Sequence, residues 1–404
     1  MRKFFRKQEM QAVYSKINSV TGIVGAETTL KRTGEAKIQK SSGKFKAFIL
    51  IVFVGVSQVA NAQYEITMLH QNGNSYYFRG ANSFVTALDS AANGDTIYLS
   101  AGSFNIPAAI DKGVVIIGAG HFPDAPNLRK RTTINAGSSN LNINAGADNL
   151  HLEGLYISGS IYFYGGVRFQ ESASINNVTL KRCRVGNIFF NSSTDSTSKN
   201  NCCVEECYIF GGIAQGVKGE SLQIIRNVIM TLEEGWGPYV YYSLVCVYNA
   251  VIKKNIFLSS GSGYYMYLFS DVKNSVCYGN IFISQPNIPF TNCSNNEFRY
   301  NIFTDTNINF SNNTSDSNYM GIPRNSIFVN QTGFSIDYNH DYHLQDTTLY
   351  LGNDGTQVGL YGGIAPFKEL GRPFNPQVIE KNIGPEALPN GTLPVNIKVQ
   401  AQDR

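Results

Sequence analysis

What this chain lacks narrows it first. No helix-length apolar period separates its strand-like segments, which excludes a doubly wound sheet. No uninterrupted apolar run reaches the roughly 18–20 residues that a membrane-spanning helix needs. Serine-nucleophile, phosphate-loop and zinc-ligand spacings are absent, and no two aspartates are adjacent. Gly118-Ala-Gly120 is not a nucleotide fingerprint, because no crossover helix pattern follows it. The seven cysteines are irregularly spaced and fit neither a zinc site nor a disulfide framework. Most read as small buried core residues. Cys183 and Cys207 share a repeat position and are candidates to pair, and the odd count leaves at least one thiol unpaired within the chain.

The formal charge of +4 also misleads. Residues 1–62 hold 11 of the 33 Lys and Arg and 3 of the 29 Asp and Glu, leaving 22 and 26, so a chain beginning at Gln63 carries −4. Basicity in the leader is no evidence for nucleic-acid binding. Lys44 and Lys46 precede ten apolar residues, Ala47 to Val56, and Ala60 and Ala62 follow. This pattern predicts a signal peptide over 44–62, cleaved near Ala62-Gln63, with 1–43 as a leader or a start placed too far upstream. The mature chain is then secreted, periplasmic or displayed on the cell surface, with no membrane span.

What is present is a repeat. Seven phrases begin at Asn149, Asn177, Asn201, Ser221, Asn249, Asn274 and Asn295. Each carries an anchor six residues on, at Leu155, Cys183, Cys207, Asn227, Asn255, Asn280 and Asn301. The anchors are spaced 28, 24, 20, 28, 25 and 21 residues apart, the period of a solenoid. Apolar residues lie two apart around each anchor, which is strand periodicity. Leu152, Leu180, Val204, Ile224, Ile252, Cys277 and Phe298 form one expected inward column. Ile157, Val185, Ile209, Ile229, Phe257, Phe282 and Phe303 form a second. Asn227, Asn255, Asn280 and Asn301 are expected to bond amide to amide between coils, as asparagines at a left-handed bend.

The phrase, its anchor asparagine and its period resemble the right-handed parallel β-helix of the pectin-lyase-like superfamily, over about residues 83–365. The resemblance implies an all-β fold: a right-handed parallel β-helix solenoid over 63–365, with an N-terminal capping helix at 82–92. Within that helix the apolar residues Phe84, Ala87, Leu88 and Ala91 lie on one face, Asn82 or Ser83 caps its start, and Asn93-Gly94 ends it. Loops are expected at 191–200 and 311–318. Asn325–Val329 and Asp341–Leu344 read as last, shorter turns. Residues 366–404 read as an extended tail in which residues 394–399 alternate and suggest a terminal strand.

One outward column should hold Glu153, Lys181, Glu205, Ile225, Lys253, Tyr278 and Arg299. Its plain reading is a ladder of surface charges. The resemblance adds a catalytic one, with Lys253 or Arg299 as base, Glu153 and Glu205 as acidic partners, and calcium as the one metal admitted. No three acids share a face, so no metal set is assigned. Glu205-Glu206 and Glu233-Glu234 should diverge, because neighbours on a strand face opposite ways. A hydrolase pair is therefore not seen. Trp236, Tyr239, Tyr241, Tyr264 and Tyr265, with Lys181, are the candidates for substrate binding, since sugar faces stack on aromatic rings. Tyr162, Phe163 and Tyr164 occupy a similar place earlier in the chain. The triplet Arg129-Lys130-Arg131 reads first as a solvated loop, with contact to an acidic glycan as the alternative. Together these features point to recognition of an extracellular polysaccharide, with lyase-type elimination as the chemistry if it is an enzyme. The alternative is a non-catalytic structural or adhesive surface protein.

Overall fold

The structure, a computed structural model, describes residues 65–123, 131–137, 139–163, 174–190, 199–216, 221–231, 241–259, 266–285, 290–374, 377–383, 386, 388 and 391–400. The segments expected to be leader and signal peptide, 1–43 and 44–62, lie outside the described residues. The unit treated below is Tyr64–Arg404.

The coils feed three sheets, of twelve, nine and seven strands, and the seven coils between Val115 and Thr291 give one strand to each. Apart from an N-terminal hairpin, every ladder in these sheets is parallel and links one coil to the next. The protein is thus a right-handed parallel β-helix. Both predicted inward columns are in register, and no member is more than 1 % exposed. Phe257, Phe282 and Phe303 stack with centroids 4.8 and 4.6 Å apart, which is the strand spacing itself.

The asparagine ladder is present and one rung longer than the repeat shows. Nδ2 of Asn227 donates to Oδ1 of Asn255 (3.0 Å), Asn255 to Asn280 (2.9 Å), Asn280 to Asn301 (3.0 Å) and Asn301 to Asn318 (2.9 Å). Each amide also donates to a main-chain carbonyl of the coil before, as Asn255 does to Ile224 at 2.8 Å. The left-handed bend itself falls one residue earlier than expected. Arg182, Glu206, Arg226, Lys254 and Tyr300 have φ between 51° and 57°. The anchor asparagine reads the bend; its neighbour makes it.

At the N-terminal end, Ile66–Gln71 and Asn74–Arg79 form an antiparallel hairpin on the twelve-stranded sheet. The helix Ser83–Ser90 follows and buries Phe84, Ala87 and Leu88 against it. Asn82 makes no capping bond; its Oδ1 accepts from Asn105 Nδ2 (2.5 Å) instead. The other end is closed by Lys112, whose ammonium donates to the carbonyls of Leu88, Asp89 and Ala91 at 2.8–3.0 Å.

The late segments depart from the expected pattern. Thr314–Asp316 is not loop but the last strand of the twelve-stranded sheet. Beyond it the coils stop. Phe328–Asn330 and Asp341–Leu344 pair antiparallel with each other, so they are not further turns. With residues 358–367 they lie over the outside of the nine-stranded sheet and form a second core. Ile327, Phe328, Ile336, Tyr342, Leu344, Val358, Leu360 and Phe367 pack there on Tyr208, Val228, Ile256, Ile281 and Ile302. This is why Val228–Thr231, Ile256–Ser259 and Ile281–Ser284 are buried on both faces. The terminal strand Val395–Gln400 exists, but it pairs with Gln377–Ile383 in a separate two-stranded sheet.

Candidate functional site

The outward column of the twelve-stranded sheet has the predicted register, Glu153 to Lys181 to Glu205 to Ile225 to Lys253 to Tyr278 to Arg299. Its charges are used among themselves and by the bend residues beside them. Lys181 Nζ lies 2.7 Å from Glu205, and Arg182 lies 2.6 Å from both Glu153 and Glu206. Arg226 meets Glu205 at 2.9 Å and Glu206 at 3.9 Å. His151 Nε2 lies 3.0 Å from Glu153. Arg299 pairs with Glu297 on its own strand. Lys253 stands between Ile225 and Tyr278, two strand spacings or about 10 Å from Glu205. The proposed base and acids therefore do not converge.

The expectation that Glu205 and Glu206 diverge is overturned. Both carboxylates reach Arg226. The cause is the backbone: Glu206 sits at φ 56°, so strand alternation ends at Glu205. The sequence did carry a signal for these missed residues. The position before the anchor runs Arg182, Glu206, Arg226, Lys254, alternating in sign along the stack until two cations, Arg226 and Lys254, follow each other. Lys254 continues the row toward the C-terminal segment, bonding Asp354 (3.2 Å) and Thr356 (3.0 Å).

The electrostatics are those of a structural network. Burial pushes Glu153 and Glu205 up, but the facing cations outweigh it and hold both below the ordinary carboxylate value: the His151 hydrogen bond, Arg182 and Lys181 at Glu153, and Lys181 and Arg226 at Glu205. At Glu206 burial wins over Arg182, and its carboxyl lies above the ordinary value. Among the described residues no three His, Cys, Asp or Glu side chains gather as a metal site. All seven cysteines are free. Cys207 Sγ accepts the Cys183 N–H at 3.4 Å and extends the ladder with sulfur instead of closing a disulfide.

Trp236, Tyr239, Tyr264 and Tyr265 lie outside the described residues, and only the backbone of Tyr241 is described, in the strand Tyr241–Val245. The equivalence of the two aromatic segments is visible in their next members. Tyr242 and Tyr267 are in register on the seven-stranded sheet and stack with centroids 5.7 Å apart. Tyr162 and Phe189 stack in the same way at 4.5 Å on earlier coils. All four are half-buried, with part of each ring open to solvent.

A second missed residue is His121, which is fully buried under the C-terminal segment. Its Nδ1 lies 3.1 Å from the Tyr338 hydroxyl, and its Nε2 has no partner. Gly371 covers that nitrogen so closely that a Cβ there would sit 2.1 Å from the ring. Burial first, then Arg184 and Arg131, lower the imidazole from 6.5 to about 3. A depressed histidine is neutral in the fold and charged in the unfolded chain, so stability falls as pH drops through 6.5 toward 3. From pH 6.5 to 5 this amounts to about 2 kcal/mol. Urea midpoints across that range should show the loss, and His121→Phe should flatten the slope by about one proton. An unchanged slope would mean that the imidazole is not buried in the neutral form.

The chain is a parallel β-helix protein by its fold. It matches no family profile, no curated protein and no solved structure. Among the described residues no helix is long and apolar enough to cross a membrane.

Proposed function

We propose that this is a secreted β-helix protein that holds extracellular polysaccharide on its seven-stranded face and does not cleave it. The observation that carries the reading is the Tyr242–Tyr267 pair, stacked in register and partly open to solvent. Because the two ring faces lie against each other, the solvent-open rims of the pair, set at coil spacing, are what successive sugars would meet. The absence of turnover is supported by the outward column, where Glu153, Lys181, Glu205 and Arg299 are each in an ion pair and Lys253 stands two strands from Glu205. Secretion rests on the apolar run at 47–56 and the small residues Ala60 and Ala62. The repeat phrase and the amide ladder support kinship with the pectin-lyase-like superfamily, whose fold hosts binders as well as enzymes.

Affinity electrophoresis of the mature chain in gels cast with plant, algal and bacterial polysaccharides tests this. Retardation by at least one polymer is expected. Tyr242→Ala with Tyr267→Ala should weaken it about tenfold, or about 1.4 kcal/mol. Unsaturated product absorbance, with or without calcium, would replace the binding reading with a lyase. Neither retardation nor turnover leaves the structural or adhesive protein.

A further inference from the structure

The C-terminal segment reaches His121 through Tyr338 and packs on the outside of the nine-stranded sheet from Tyr208 onward. On the coils before it the outer positions are Thr133, Tyr156 and Arg184, in register. Here the side chains form a single stack. The Arg131 guanidinium lies 3.9 Å from the Tyr156 ring centre and Arg184 lies 4.2 Å from it. Arg184 is also 4.2 Å from the ring of Phe210, one coil further on. Arg131 comes from the coil before Tyr156 and Arg184 from the coil after, so the ring separates two cations whose carbons are within about 8 Å of each other.

These two arginines differ from most cations of the coils. Arg182, Arg226, Lys181, Lys254, Lys273 and Arg299 each face a carboxylate. Among the described residues none faces Arg131 or Arg184. Both are partly exposed, and aromatic rings lie against their flat faces, so an anion would meet their N–H edges. Stacking also fixes the planes in advance, so little freedom is lost when an oxyanion docks on an edge. Two unneutralised guanidiniums held this close create a local positive field on a chain whose predicted mature charge is −4. The lowered pKa of the neighbouring His121, to which both contribute, registers that field.

We propose that Arg131, Tyr156, Arg184 and Phe210 form a binding site for an acidic polysaccharide, each guanidinium edge taking a carboxylate or sulfate group of one chain. Fork-shaped donors match two-oxygen anions, and the spacing across Tyr156 suits anions on neighbouring or next-neighbouring sugars. This site is on a different sheet from the Tyr242–Tyr267 pair. It rests on the glycan reading above for the kind of chain, and not for the anion chemistry.

The test uses the mature chain with four probes: dextran sulfate, polygalacturonate, uncharged dextran and duplex DNA, measured by affinity electrophoresis at several salt concentrations. R131Q and R184Q should each weaken binding to at least one charged polymer about tenfold and flatten its salt dependence, with thermal melting unchanged. R184K keeps the charge but loses the flat stack and should fall between. Y156L, which frees the two planes while keeping both charges, should also weaken binding. Which of the two charged polymers binds more tightly separates sulfate from carboxylate. Charged-polymer binding that survives in the R131Q/R184Q double variant overturns the site. So does tighter binding of duplex DNA than of either charged glycan. If uncharged dextran alone binds, this proposal fails while the glycan reading stands; if nothing binds the wild-type chain, both fail.

Discussion

Asn255→Leu is expected to destabilise the protein by about 3–5 kcal/mol, because it strands several buried groups at once. Asn255 Oδ1 accepts both the main-chain N–H and the Nδ2 of Asn227, at 2.9 and 3.0 Å. Its own Nδ2 serves Ile224 O and Asn280 Oδ1. Leucine is about the right size and has precedent, since Leu155 occupies the same column. Volume is therefore not the cause of the loss. Asn318→Leu likewise removes an acceptor for the Asn301 N–H and Nδ2 and a donor to Phe298 O, but at a partly exposed position where water can take over, and should cost about 1 kcal/mol. Denaturant unfolding of the two variants should separate them clearly. Equal losses would show that the amides act one by one and that the ladder is no continuous feature.

Arg182→Met should cost a similar amount, about 3–5 kcal/mol, for a different reason. Arg182 is 1 % exposed and is the hub between Glu153 and Glu206, with Phe374 lying 4.2 Å over its guanidinium. Methionine fills the space but leaves Glu206, itself 3 % exposed, as a buried charge with only distant relief from Arg226. Its carboxyl, already raised by burial, rises further without Arg182. A group whose folded pKa is raised binds more protons in the fold, so its penalty shrinks as pH falls. The deficit of Arg182→Met should therefore be largest near pH 7 and smaller near pH 5. Adding Glu206→Gln should recover part of it, as expected for directly coupled residues. A deficit that does not change with pH would place the loss in packing instead.

The coil was legible because its causes are local and repeated. Two apolar residues per phrase, an asparagine at fixed offset and a strand period specify both inward columns and four rungs of the ladder. The fifth rung was hidden. In Asn312–Asn318 the spacing falls to 17, and Ser315 stands where the other phrases carry an apolar residue. The bend residues were hidden too, since left-handed backbone at Arg182 or Glu206 has no composition of its own. That single shift decides where the charges point, and so the alternation rule failed at Glu205-Glu206. The second core was written in the sequence but in another script. Val228-Ile229-Met230, Ile256-Phe257-Leu258 and Ile281-Phe282-Ile283 are continuous apolar runs, the mark of strands covered on both sides. The covering segment lies far along the chain, and no periodicity links it to them. The stack at Arg131, Tyr156 and Arg184 joins three coils by side-chain length alone, which one-dimensional spacing does not reveal.

The returning segment has one more consequence. A bare array of coils touches only adjacent units, so it is free to unravel from either end in steps. Here Tyr338 meets His121 across 217 positions, and Asp354 meets Lys254 across 100. Those ties skip over many units and join early turns to the segment 327–367. Melting should accordingly be steeper and more nearly all-or-none than nearest-neighbour stacking allows, and a nascent chain would wait for that segment before it locks.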